Sequence, residues 1–333
     1  MIRHGEAEGN VFRRLHGQYN SLLMPRAYRQ IQCVKHRFEN IRIDGCFSSD
    51  LTRAIQTAKS ICEPKGLTLH TDPRFRELHV GVWEDLAYGY LDHFWPEDMH
   101  RFSHDPKAWR VYGAETYKDY TDRFIDGICE AAAQYDGGTI AVFCHGAVLR
   151  GTLMRLFFGD KPDGLPLSDN AGVSHLFYDK GCFTYEYLND NSHIPQELST
   201  FFVQSWWRKT DNRKEANLYF EPCKDVPAGL DRPPAEESST LIAAFLRGRP
   251  IGLVSLGVQE ESKGRVLGMT MQEQLLGRGY GDQLLGCAFS HFRRLGCDRL
   301  ELADGVYPDD VDSRYGFDPM TRSRIIDPDK FHF

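Results

Sequence analysis

Thr139-Ile140-Ala141-Val142-Phe143-Cys144-His145-Gly146 is the stretch that decides the fold. An apolar run with no polar alternation reads as a strand covered on both faces, the pattern of a parallel sheet. A helix is expected directly after it, from Ala147 to Phe158. Upstream, a short strand over 44–47 leads into a helix carrying Leu51, Ala54, Ile55, Ala58, Ile61 and Cys62 on one face, and then into a strand over 67–71. Strand, helix and strand in succession predict an α/β sheet with right-handed crossovers. Ligands of such sheets collect beyond the carboxyl ends of the strands, which is where His145-Gly146 stands.

Other elements follow from local signals. A helix is expected over 25–38. Ser48-Ser49-Asp50 offers side chains that cap a helix start, and Pro64 and Gly66 stop that helix. Glu115 to Tyr135 reads as a long amphipathic helix closed by Gly137-Gly138, and 173–178 with 183–188 as a hairpin joined by Asp179-Lys180-Gly181. Residues 85–113, crowded with Tyr88, Phe94, Trp95, Phe102, Trp109 and Tyr112, read either as an insertion over a pocket or as an aromatic satellite core. A domain ends near Ile194. Beyond a polar, proline-bearing segment over 225–239 come a helix expected around 240–246 and strands over 251–258 and 265–272. The turn Gly277-Arg278-Gly279-Tyr280-Gly281 then opens a helix with Leu284, Leu285, Ala288, Phe289, Phe292 and Leu295 on one face and Gly296 as its C-cap, before a strand over 299–303.

With 333 residues and 38.2 kDa the chain is long enough for two domains. We divide it into 1–195, a connecting segment over 196–239 that includes the start of the second domain, and 240–333. The net charge of -7 and a pI near 6.0 argue against nucleic acid or an anionic membrane as partner, and basic runs such as Arg13-Arg14 and Trp207-Arg208-Lys209 are too short to change that. Nine scattered cysteines without a Cys-x-x-Cys pair fit a reduced, cytoplasmic setting. The N-terminal residues lack a signal-peptide pattern, and the longest apolar run is too short to span a bilayer. His100 and His104 stand four apart, but no third ligand is evident and no metal is expected.

The chemistry is carried by Ile2-Arg3-His4-Gly5. A neutral imidazole has one lone pair to attack phosphorus and one N–H to be held, and a guanidinium meets phosphate oxygens with a fixed fork of donors. Transfer also needs further positive charge and a proton donor for the leaving alcohol. Arg53, His145 and Glu77 are the candidates, Glu77 serving as the acid if a dry pocket keeps it protonated. Only Met1 and Ile2 precede Arg3, so the first strand is expected to be barely begun where the motif arrives.

Four blocks in order resemble the histidine phosphatase superfamily, the phosphoglycerate-mutase-like group, over roughly 1–195. They are Arg3-His4-Gly5-Glu6 with Asn10, Ser49 to Ala54 with Thr57-Ala58, Arg76-Glu77-Leu78 with Gly81 and Trp83-Glu84, and Cys144-His145-Gly146. The resemblance implies a three-layer α/β/α domain with a mostly parallel sheet and its first strand central. It further implies phosphohistidine on His4, Arg3, Asn10, Arg53, His145 and Gly146 around the phosphate, Glu77 as acid, a small phosphomonoester as substrate and no cofactor. Arg14 resembles a further family position, while Met24 and Ala27 depart from the family's hydroxyl residue and glycine. The compact block after Glu77 favours hydrolysis over a phosphoglycerate-mutase-type transfer.

Around Gly277-Arg278-Gly279-Tyr280-Gly281 the chain resembles GNAT-type N-acetyltransferases, a smaller α+β fold, over roughly 215–320. The turn's free N–H groups would cradle a pyrophosphate, and the resemblance implies acetyl-CoA as cofactor and an amine as acceptor. Leu276 departs from the family's loop start, and Asp312 holds the place of its tyrosine acid. The alternatives left open are a mutase and a non-catalytic protein that binds acetyl-CoA or another small molecule.

Overall fold

The computed structural model describes residues 1–161, 163–204, 217–259, 262–306 and 311–330. The basic run at 207–209 lies outside them. In chain order the elements are β1 (Ile2–Arg3), α1 (Glu8–Phe12), α2 (Pro25–Phe38), β2 (Gly45–Ser48), α3 (Thr52–Cys62), β3 (Leu69–Thr71), α4 (Tyr88–Phe94), α5 (Pro96–His104), α6 (Tyr117–Ala133), β4 (Ile140–Cys144), α7 (Gly146–Phe157), β5 (Val173–Asp179), β6 (Cys182–Asp190) and α8 (Thr200–Val203). The second half adds β7 (Tyr219–Pro222), β8 (Thr240–Leu246), β9 (Arg249–Gln259), β10 (Lys263–Met271), α9 (Tyr280–Arg294), β11 (Arg299–Leu302), α10 (Val311–Tyr315) and β12 (Ser323–Ile325).

The first sheet runs β3-β2-β4-β1-β5-β6, parallel through β1 and closed by the antiparallel hairpin β5–β6. The decisive run is its β4. Ala141 and Phe143 pack on one face with Val34 and Phe38 of α2 and Ala58 and Ile61 of α3. Val142 and Cys144 pack on the other with Phe124 and Ile128 of α6 and Val148 and Leu149 of α7. A strand buried on both faces needs apolar residues at every position, which is why the run does not alternate. The two-residue β1 is held on both edges, by Ile2 opposite Phe143 and Val173 and by His4 N–H donating to Cys144 O at 3.0 Å.

The second sheet runs β12-β11-β10-β9-β8-β7. Thr240–Leu246, expected as a helix, is the strand β8, paired antiparallel to both β7 and β9. Its length and apolar content suit either element, and the alternation that places Ile242 and Ala244 in one core and Leu241 and Ala243 in another decides for the strand. Two smaller corrections concern helix ends. The residue capping α3 is Leu51, with no side-chain bond of its own, and Asn20 Oδ1 accepts from Thr52 N at 2.9 Å instead. Leu295 caps α9 and is exposed, and Gly296, at φ +78°, follows it in the left-handed turn.

The core under the second sheet takes in residues of the first half. Val11, Phe12 and Met24 of the first half are buried among Leu285, Ala288 and Phe289 of α9, and a Cβ at Gly286 would overlap Phe12. Beside this contact lies a buried ionic cluster. Arg293 donates to Glu8 and to Asp85 at 3.1 Å, Arg324 to Glu8 at 3.0 Å, and Arg14 to Asp85 at 2.7 Å and to Ser290 at 2.7 Å. Met24 accepts from Arg324 at its sulfur, a contact with the second half.

Candidate active site

His4 leaves β1 at the carboxyl end of the first sheet, beside His145 at the end of β4, with the ring centroids 5.1 Å apart. Its Nδ1 lies 2.6 Å from Gly5 O. A carbonyl only accepts, so Nδ1 carries the proton and Nε2 keeps the lone pair. Burial first, then the guanidiniums of Arg53 and Arg3, hold the pKa of His4 well below 6.5 and the ring neutral. Gly5 N–H donates to Thr57 Oγ1 at 3.0 Å, which fixes the loop against α3.

Arg3 donates to Ser168 O, and Arg53 to Gly17 O at 2.8 Å and Tyr19 O at 2.9 Å, but the Nε of each has no partner among the described residues. No salt bridge neutralises either guanidinium there, and burial lowers the pKa of both. Both ring nitrogens of the fully buried His145 are likewise without a bond, and its pKa is depressed by burial and then by Arg53. Asn10 Oδ1 accepts from Ala7 N at 2.9 Å and Asn170 Nδ2 at 3.2 Å, which leaves its amide Nδ2 for the cavity. Buried polar groups are normally satisfied, so this concentration of unfilled donors marks a place for an anion.

Glu77 borders the same cavity, of about 210 Å³, with Arg3, His4, Asn10 and Gly146. Its Oε1 accepts from Leu78 N at 2.9 Å and Val148 N at 2.7 Å, and its Oε2 from Ala147 N at 3.0 Å. Oε2 is therefore the oxygen with a lone pair left for a proton. A Cβ at Gly146 would sit 3.2 Å from the Arg3 guanidinium, so glycine there gives the arginine room. The aromatic stretch lines the cavity through Tyr88 and Phe102, and in place of a satellite core its Leu91, Met99 and Trp109 are buried with Trp83 in the same core as Phe124, Val142 and Val148. The His100 and His104 rings stack on each other at 4.4 Å along α5.

Sequence reasoning missed several groups. His16 supplies a third imidazole, 6.1 Å from His4 and edge-on, with Nε2 accepting from Gly9 N at 2.7 Å and a pKa lowered by burial and Arg53. Its position beside Arg14 in a block already singled out was the available signal. Asn170, whose Nδ2 donates to His4 O at 3.1 Å, and Gln204, whose Nε2 donates to Asn10 O at 2.7 Å, come from loop and connecting residues with no pattern to reveal them.

In the second half, Gly277 (φ +72°) and Gly279 (φ +82°) open the turn before α9 in backbone that side chains avoid, and a Cβ at Gly277 would meet only open space. Gly277, Arg278 and Gly279 line a second cavity of about 290 Å³, whereas Tyr280 and Gly281 start the helix and do not line it. β10 continues to Met271 after β11 has stopped at Leu302, so the strands part next to this turn. Glycine backbone and a helix N-terminus suit a diphosphate. Leu276 is exposed and Asp312 half-buried on the five-residue α10.

The family model described as histidine phosphatase superfamily (branch 1) matches residues 1–191, and that of the acetyltransferase (GNAT) family matches 201–314. A probable phosphoglycerate mutase GpmB of Yersinia pestis is 44% identical over 98 residues, 29% of this chain and 44% of that protein. The chain thus spans less than half the length of the curated relatives it matches. Among solved structures, Bacillus stearothermophilus YhfR superposes with a TM-score of 0.55 at 24% identity, covering 58% of this chain and 96% of its own. A mycobacterial glucosyl-3-phosphoglycerate phosphatase, solved with VO3, superposes at 0.53 and 25% identity, covering 57% of this chain and 98% of its own.

Proposed function

The chain belongs to the histidine phosphatase superfamily through residues 1–191 and carries a GNAT-family domain over 201–314, and from this membership we propose that it hydrolyses a small phosphomonoester through a phosphohistidine on His4. The observation that carries the proposal is the set of buried, unfilled donors of Arg3, Arg53 and His145 around a neutral His4. His4 Nε2 forms the N–P bond as the ester P–O bond breaks. Arg3, Arg53 and Asn10 donate to the oxygens of the transferring phosphoryl, and their donors are already placed before charge develops. Glu77 Oε2 gives its proton to the departing alkoxide. Water then attacks phosphorus, loses its proton to Glu77, and the N–P bond breaks.

The 1–195, 196–239 and 240–333 division is part of the same proposal, with the second domain holding acetyl-CoA and an amine acceptor. Backbone N–H groups of Gly277 to Gly279 would hold the cofactor's diphosphate, and the cofactor would supply the acetyl group. The phosphatase reading is tested by phosphate release from an aryl phosphate by the whole chain and by His4→Ala. Release by the wild type and loss of about a thousandfold or more in the variant is expected, and equal rates would overturn it. Supplying a phosphoglycerate and finding isomer exchange in place of free phosphate would move the reading to a mutase.

A further inference from the structure

The cavity at the glycine-rich turn is not built by the second domain alone. Two helices begin at it: α9, through Gly279, and α2 of the first domain, through its second residue Arg26. Each N-terminus brings the positive end of a helix dipole. Arg278 makes no hydrogen bond or ion pair among the described residues. Arg26 gives Nε and Nη2 to Glu6, at 2.6 and 3.0 Å, and its Nη1 makes no bond among those residues. The carboxylate lining the cavity, Asp282, already accepts from Arg314 at 2.9 Å and from Tyr315 Oη at 2.5 Å. Three guanidiniums stand against two carboxylates, Glu6 behind Arg26 and Asp282 beside Arg314, and the excess guanidinium together with the two helix N-termini favours an anion.

We propose that Arg26, a residue of the phosphatase domain, is a ligand of the second domain's cofactor, its Nη1 donating to the diphosphate of a nucleotide-linked thioester seated on the Gly277–Gly279 turn. The proposal rests on the acetyl-CoA reading above. Glu6 is fully buried, grips the guanidinium with both oxygens, and is itself held by Gln30 Oε1 accepting from its N–H at 2.8 Å. Arg26 is thus oriented before any ligand arrives, which reduces the entropy lost on binding. Only Gly5 separates Glu6 from His4, so the cradle and the catalytic loop share one charge pair.

The test is calorimetric titration of the whole chain with coenzyme A, pantetheine and inorganic pyrophosphate. Arg26→Gln alone would leave Glu6 buried without a partner, so the working variant is Glu6→Gln/Arg26→Gln, with Arg26→Lys beside it and a thermal melt to establish folding. The expected result is that the double variant weakens coenzyme A and pyrophosphate by about tenfold or more, the size of one charge-assisted bond. Pantetheine, which has no diphosphate, should bind alike to both proteins. A folded double variant that binds coenzyme A and pyrophosphate as tightly as the wild type overturns the proposal and leaves the acetyl-CoA reading standing. Arg26-dependent binding of pyrophosphate without binding of coenzyme A supports the Arg26 contact and overturns the acetyl-CoA reading. Binding of neither ligand by the wild type overturns both.

Discussion

Two groups of buried arginines lie near each other and are built in opposite ways. Arg14, Arg293 and Arg324, where the halves meet, are matched by Asp85 and Glu8 and by Ser290. Arg3 and Arg53, around His4, have carbonyl oxygens as hydrogen-bond acceptors and an unfilled Nε each. Both groups are removed from water at a cost that a protein sustains only with a return. In the first the return is stability, because the partners are present in the fold. In the second it comes with a ligand, and the missing counter-charge describes that ligand as an anion.

Replacing one member of each group should give opposite results. Arg53→Leu is expected to reduce phosphate release by about a thousandfold, as loss of a preorganised donor does, with a melting temperature equal to or above that of the wild type. Steady-state kinetics and calorimetry on one preparation check both halves of that statement. Arg293→Met should instead cost about 3–5 kcal/mol of stability, because Glu8 and Asp85 stay buried with too few partners; chemical denaturation measures it. Vanadate or inorganic phosphate should raise the stability of the wild type by about 2.7 kcal/mol at a hundred times its dissociation constant, and leave Arg53→Leu unmoved.

The smallest expected effect is in pH dependence. His4, His16 and His145 have pKa values depressed by burial, so below the unfolded value of 6.5 the unfolded chain binds protons that the fold does not. Stability contributed by the three rings is present above that pH and is lost as pH falls. Glu6 opposes them. Burial raises its carboxyl to about 7, so between 4.5 and 7 the folded state holds the extra proton and stability falls as pH rises. His193 and His291 are lowered in the same way, and Glu8, Glu84 and Asp282 are raised like Glu6, so five imidazoles against four carboxyls predict a small net loss of stability on acidification below 6.5, read from melts at a series of pH values.

The parts of this account that were legible in the sequence are those carried by short-range pattern. The unalternating apolar run of β4 announced a strand covered on both sides, and four blocks pointed to His4 and Glu77, which line one cavity, to His145, 5.1 Å from His4, and to Arg53, whose charge acts on His4 although it does not line that cavity. Residues whose role depends on what arrives from far along the chain were silent. Asn170 reaches His4 from 166 positions away and Gln204 reaches Asn10 from 194. Nothing in their own stretches marks Glu8 and Asp85 as buried, because Arg293 reaches both from the second half. β8 was misread because seven apolar-rich residues fit a helix or a strand equally, and only pairing with β7 and β9 separates them.

The central claim is that His4 Nε2 takes the phosphoryl group. Rapid acid-free quenching of the whole chain during turnover of an aryl phosphate, followed by mass spectrometry under conditions that preserve phosphoramidates, tests it directly. The account predicts a phosphoryl adduct on His4 that forms and decays at rates consistent with turnover and is absent from His4→Ala. Turnover with no adduct on His4, or with one on another residue, would contradict it.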